Sequence, residues 1–201
     1  MKQAMTPEEI KRHRRLNFRQ TNAFAMQYGA IMGLYVFAAE ACFVLGLKIG
    51  GLMTLQTLLT LAYPAVIIWL AFRFRNQVSE GLPYSFGRGF FFTLLVVLYS
   101  GIWASLAALI YLQFFDGGYL FQTYLEVISR PDTVKAMQDS GLTAQIRASS
   151  GGLTPAQIVE QLQHTPASVF AATILYFFIL TAPVFSLVAG LFTMRGARRS
   201  Y

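Results

Sequence analysis

One cysteine, two histidines and nine acidic residues in 201 leave this chain few groups with which to do chemistry. Cys42 stands alone, so no internal disulfide can form, and it carries no information about redox compartment. His13 and His164 fall in separate segments, which excludes a histidine-rich metal site or a histidine dyad on one helix. No Walker-type loop, G-x-S-x-G elbow or C-x-x-C pair occurs. Gly87-Arg88-Gly89 has too few glycines for a dinucleotide fingerprint and suits a turn entering a helix. Asp116, Glu126, Asp132, Asp139 and Glu160 are spread over about fifty residues and read as a solvated face. A nucleophile, a base and a stabiliser cannot be assembled from these parts. The expectation is therefore no enzyme, no cofactor and no metal.

Charge is scarce as well: 12% of residues are charged against 55% hydrophobic and 15% aromatic. That balance excludes an ordinary soluble domain. Four apolar runs, 28–47, 52–72, 90–115 and 168–192, reach the roughly 20 residues needed to cross a hydrocarbon core. They lack the period-2 alternation of barrel strands, so each is expected as a helix. The basic N-terminal stretch could be mistaken for a secretion signal. Its length, the length of the run that follows and the missing small-residue cleavage site argue for retention.

The net charge of +7 is arranged by topology. Lys2, Lys11, Arg12, Arg14, Arg15 and Arg19 precede the first run, Arg73, Arg75 and Arg88 lie between the second and third, and Arg195, Arg198 and Arg199 follow the fourth. Lys48, Arg130, Lys135 and Arg147 remain for the other side. Twelve against four predicts cytoplasmic termini, with a Lys48–Gly51 turn and the long 116–167 segment outside. The basic residues orient the chain and attract anionic lipid, and nucleic acid is not an expected partner.

The implied domains are a basic cytoplasmic helix over 1–24, transmembrane helices 1–3 over 25–115, an extracytoplasmic helical segment over 116–167, helix 4 over 168–192 and a basic tail over 193–201. Thr6-Pro7-Glu8-Glu9 has the form of a capping box opening a surface helix that leads to the first crossing at Phe24. Thr154-Pro155-Ala156-Gln157 repeats that logic and predicts a helix over 156–163. One or two amphipathic helices are expected between Tyr119 and Ala148, broken at Arg130-Pro131 and Gly141, with Ser149–Gly152 as a flexible joint. Pro64 and Pro183 predict kinks in the second and fourth crossings. Gly29 with Gly33, Gly101 with Ser105, Ala104 with Ala108, and the row Ala182, Ser186, Gly190 are small-residue faces suited to close helix packing, within the chain or in a dimer.

The block FRFRNQVSEGLPYSFGRGFFFTLLV, 72–96, together with GGLTPAQIVEQL, 151–162, and the basic ending, resembles the Bacteroidota membrane family called domain of unknown function 4199 over roughly 24–199. One departure stands out. The aspartate after the third helix often precedes proline in such sequences, whereas Asp116 here precedes Gly117-Gly118. The resemblance implies a small four-helix inner-membrane protein and no particular activity.

Glu40 is the one carboxylate inside an apolar run, roughly 18 Å along the first crossing at about 1.5 Å per residue. A charge at that depth costs a few kcal/mol, about 2.5–3.5 on insertion scales. The other three runs contain no lysine or arginine, so its candidate partners are Tyr35, Tyr63, Thr57, Thr60, Tyr99, Ser100, Trp103 and Thr181. Two readings stand side by side: a proton or cation site facing a wet cleft, or a protonated, hydrogen-bonded packing residue or one that snorkels towards the headgroups. The sequence therefore predicts an all-α polytopic membrane protein with four crossings, a non-enzymatic component that packs against itself or another membrane protein. The alternative is a small proton- or cation-linked transporter subunit using Glu40.

Overall fold

The computed structural model describes residues 7–79 and 83–195, and among them every regular element is a helix. The order is α1 (Pro7–Gly46), α2 (Gly50–Ser79), α3 (Phe86–Ile110) with a π-helical turn (Tyr111–Phe115), α4 (Tyr119–Ile128), α5 (Pro131–Asp139), α6 (Leu142–Ser149), α7 (Pro155–Gln163) and α8 (Ala167–Thr193). Four helical stretches, Leu16–Gly46, Gly50–Ser79, Phe86–Phe115 and Ala167–Thr193, are long and apolar enough to cross a membrane. The shortest has 27 residues, or about 40 Å of helix. The all-α reading with four spans holds.

Local details refine the expectations. The basic segment from Pro7 is continuous with the first span as one 40-residue helix. Thr6, the cap of the first proposed box, lies outside the described residues. The first turn is tighter than Lys48–Gly51: Lys48 and Ile49 amides both donate to the Leu45 carbonyl, at 3.2 and 3.1 Å, and Gly50 already opens α2. Helices α2 and α8 run on through Pro64 and Pro183.

By contact, the described parts of Met1–Val36, Thr60–Ala104 and Ile174–Tyr201 form one compact unit, and Phe37–Leu59 with Ser105–Thr173 form another. In the first unit, Thr21, Ala25, Tyr28 and Met32 line one stripe of α1, and Ile67, Leu70, Ala71 and Phe74 line one of α2. Both spacings follow the helical repeat, so each helix presents a single face inward. Val96, Val97, Ser100 and Ala104 of α3 and Phe178, Ala182, Ser186 and Ala189 of α8 complete the core. Leu61, Leu34, Phe177 and Phe192 stay exposed on the opposite faces, as lipid-facing side chains must.

Helices α1 and α3 approach closely. A Cβ added at Gly29 would collide with Cβ of Tyr99, and one at Gly33 with Cβ of Trp103. Only glycine fits at that separation, because any larger residue would push the helices apart.

In the second unit, α4 packs on α7 and α5 on α6. The breaks fall at Arg130-Pro131 and Gly141 as expected, but they divide the stretch into three helices rather than one or two. Gly141 takes φ 73°, which ends one helix and starts the next. Thr154 closes a true capping box: the Gln157 amide donates to its Oγ1 at 3.3 Å, and its own amide donates to Gln157 Oε1 at 2.9 Å. The Ser149–Gly152 stretch is a bonded turn rather than a loose joint. Ser150 Oγ donates to the Ile146 carbonyl at 2.7 Å and the Gly152 amide to the Arg147 carbonyl at 2.8 Å. Helices α5 and α6 contain no fully buried residue.

Replacing Gly33 by Leu is expected to destabilise the protein by about 1–3 kcal/mol through overpacking. Gly50→Ala, in open space within a helix, should be neutral or stabilising by up to about 1 kcal/mol. Thermal unfolding in mild detergent separates the two, and equal effects would refute the seam.

Candidate functional site

The chemistry-bearing side chains of the first unit collect at one end. Tyr28 donates to Gln77 Oε1 at 2.9 Å, Arg88 Nη2 donates to Gln20 Oε1, and Tyr84 exchanges both backbone hydrogen bonds with Arg195, at 3.0 and 2.9 Å. These bonds bring together the early part of α1, the end of α2, the start of α3 and the end of α8. Arg19, Arg73, Arg75, Arg88 and Arg195 therefore share one end of this unit.

An aromatic stack supports that end. Phe74 and Phe92 lie face to face with ring centroids 4.0 Å apart and planes 10° apart. Tyr84 meets Phe74 edge-on at 6.4 Å, and Tyr28 meets Phe92 edge-on at 5.7 Å. The Arg88 guanidinium sits 5.7 Å from the Phe74 centroid, a cation–π distance. The Tyr84 hydroxyl is buried and has no partner among the described residues, as is true of Ser79 Oγ, Thr93 Oγ1 and Arg88 Nε. Burial pushes the Tyr84 hydroxyl above its ordinary range, against the opposing pull of Arg88 and Arg75. It thus remains a neutral phenol at any physiological pH.

Deeper along the spans the polar side chains pair with each other or with their own backbone. Tyr99 donates to Asn22 Oδ1 at 2.8 Å, and the Tyr63 and Ser100 hydroxyls lie 3.3 Å apart. Ser100 also donates to the Val97 carbonyl at 2.8 Å, Thr57 to Met53 at 3.0 Å and Thr181 to Phe177 at 2.9 Å. So most candidate partners of Glu40 bond elsewhere. Glu40 itself is half-buried, with no hydrogen bond or ion pair among the described residues. The amides Gln20, Asn22 and Gln77 were not singled out from sequence, although polar amides flanking apolar runs are a readable signal.

The small-residue candidates are mostly consumed by internal contacts. Gly29 and Gly33 face α3, Gly101 faces Phe178, and Gly190 faces Phe86. Ala182 and Ser186 are fully buried and Ser105 nearly so. Ser186 Oγ donates to the Ala182 carbonyl at 2.6 Å. The Ala182–Ser186–Gly190 row therefore belongs to the core of the first unit and is not a surface for a partner.

In the second unit, Asp116 accepts from the Gly118 amide at 3.1 Å and the Leu120 amide at 3.0 Å, capping α4 with its side chain. Gly117 and Gly118 adopt φ 53° and 88°, which explains why glycines follow this aspartate. Lys48 Nζ lies 4.6 Å from the Tyr119 ring centroid and ties the α1–α2 turn to α4. Among the described residues, no group of three or more His, Cys, Asp or Glu is placed to hold a metal ion.

Four apolar spans, with short helices between the third and fourth, define a multi-pass α-helical membrane protein. A family model described as "Protein of unknown function (DUF4199)" matches residues 27–195, and the chain belongs to that family. No curated protein and no solved structure matches it.

Tyr99→Phe should cost about 0.6 kcal/mol, the usual value of a hydrogen bond between membrane helices. Tyr84→Phe removes a buried hydroxyl that has no partner among the described residues and should leave stability unchanged or raise it. Unfolding of both variants in lipid-detergent micelles tests the contrast.

Proposed function

We propose that this chain is a non-enzymatic accessory component of a bacterial inner-membrane assembly, with both termini in the cytoplasm and residues 116–167 outside. The twelve-to-four division of basic residues supports the orientation. The observation that carries the accessory role is the α5–α6 hairpin. Helices of nine and eight residues are marginal in water on propensity alone, so such elements depend on packing. Here neither buries a residue fully, and Val134 and Leu142 are exposed. A protein surface laid over this hairpin would supply the missing burial. The occupant in this reading is another membrane protein's outer domain or a second copy of the chain, since the small-residue row of α8 is already used internally.

Glu40 favours a second reading, a small proton- or cation-linked transporter subunit. It is a half-buried acid within a span and lacks a neutralising partner among the described residues.

A photo-crosslinking residue at Gln138, exposed on α5, should give a discrete protein adduct in intact cells, whereas one at Leu61 on the lipid face should not. Absence of any adduct from α5 and α6 positions refutes the accessory role. In the second reading, Glu40→Gln abolishes a pH-dependent ion flux in liposomes while helical content is kept. A flux that survives the substitution, or no flux in the wild type, rules that reading out.

A further inference from the structure

Beside the aromatic stack, the end of α2 carries a groove of about 430 Å³ lined by Trp69, Phe72, Arg73, Asn76 and Gln77. Their spacing places all five on adjoining faces of the last turns of a membrane-spanning helix. That is the depth where a span meets lipid headgroups.

The polarity of this groove is one-sided. The Arg73 guanidinium is held 5.5 Å from the Trp69 ring centroid, which keeps it at the groove with no carboxylate partner among the described residues. Asn76 Oδ1 accepts from Arg75 Nε at 3.2 Å and from Nη2 at 3.0 Å. A guanidinium can only donate, so the amide atom facing Arg75 must be the oxygen, and Asn76 has only its NH2 group left to offer. Arg75 in turn rests 4.8 Å from the Phe72 centroid, so the arrangement is braced from below. Gln77 Oε1 accepts from Tyr28, which engages one of its two lone pairs. What the groove offers a ligand is a guanidinium, two amide NH2 groups, the Trp69 indole N–H and one lone pair of Gln77 Oε1. Donors therefore outnumber acceptors and carry the only fixed charge.

A set of donors with one fixed positive charge requires a ligand that brings acceptor oxygens and negative charge. Along 70–90 the sequence sets Arg73, Arg75 and Arg88 against one acid, Glu80, which lies outside the described residues. Among the described residues no carboxylate pairs with Arg73. Tryptophan and phenylalanine walls at the same level suit the glycerol and upper acyl region that adjoins a phosphodiester. We propose that the groove at the end of α2 is a binding site for the phosphate headgroup of an anionic phospholipid, held by Arg73, Asn76 and Gln77 with Trp69 beneath. The site binds lipid in either reading of the chain's function and depends on neither.

The test uses the full chain in nanodiscs of equimolar phosphatidylglycerol and phosphatidylcholine, released for native mass spectrometry. The wild type should retain phosphatidylglycerol about fivefold over phosphatidylcholine, the factor that corresponds to about 1 kcal/mol for one arginine at a membrane surface. Arg73→Gln should erase the preference and Arg73→Lys should restore most of it. Arg19→Gln, which removes a charge from exposed α1 surface, should leave it intact. Asn76→Asp places a negative charge beside Arg73 and should also erase the preference, which gives an independent check if Arg73→Gln proves poorly folded. Equal retention of both lipids by the wild type overturns the proposal. So does an equal loss in Arg73→Gln and Arg19→Gln, which would mean diffuse surface attraction. Displacement of phosphatidylglycerol by millimolar inorganic phosphate would assign the groove to a soluble anion and overturn the lipid source.

Discussion

Helix α1 lies so close to α3 that no side chain fits at Gly29 or Gly33, and much of the first unit's internal order follows from that distance. Lipid tails are as apolar as leucine, so burial of apolar surface does not by itself drive helices together in a bilayer. Close van der Waals contact and interhelical hydrogen bonds must do so. With Cβ of Tyr99 set against Gly29, the tyrosine hydroxyl reaches Asn22 two turns nearer the start of α1. The same face of α1 carries Tyr28 to both Phe92 and Gln77, linking three helices through one side chain. A larger residue in the seam would loosen all of these at once.

The arginines gathered at one end of that unit are held in an unusual manner for charged groups. Arg73, Arg75 and Arg88 each rest on an aromatic face, and two of them donate to amide oxygens. Aromatic rings and neutral amides hold a guanidinium in place without cancelling its charge. The protein therefore keeps a positive field at this end while fixing the side chains that make it. An anionic surface meets donors already oriented, which lowers the entropic cost of binding.

The second unit follows a different rule. Its short helices start and stop where the sequence commands: Asp116 with Gly117-Gly118, Arg130-Pro131, Gly141, and Thr154 with Gln157. The Asp116 arrangement accounts for the departure from the aspartate-proline pattern of similar sequences, because the carboxylate caps α4 and two left-handed glycines carry the chain into it. Local chemistry thus settles the form of these helices, while little of their surface is buried.

Much of the architecture was legible without coordinates. Apolar runs of about 20 residues can satisfy their backbone in lipid only as helices, so composition alone determined the four spans and the all-α class. Caps and breakers act within a few residues, so the capping box at Thr154 and the breaks at Pro131 and Gly141 were readable too. The candidate sites were less so. Glu40 was conspicuous in sequence, but whether Tyr63, Ser100 or Tyr99 turns toward it depends on rotations of separate helices about their axes. The tertiary structure commits those groups to Ser100, Val97 and Asn22 instead. The donor groove at the end of α2 was invisible for the same reason. Trp69, Arg73, Asn76 and Gln77 look like an ordinary helix end until Tyr28, 49 residues away in the chain, donates to the Gln77 amide oxygen and fixes the orientation of that side chain. Hydrophobic length is a property of one segment and is written in its residues. Which lone pairs remain free is a property of neighbours, and only packing assigns neighbours.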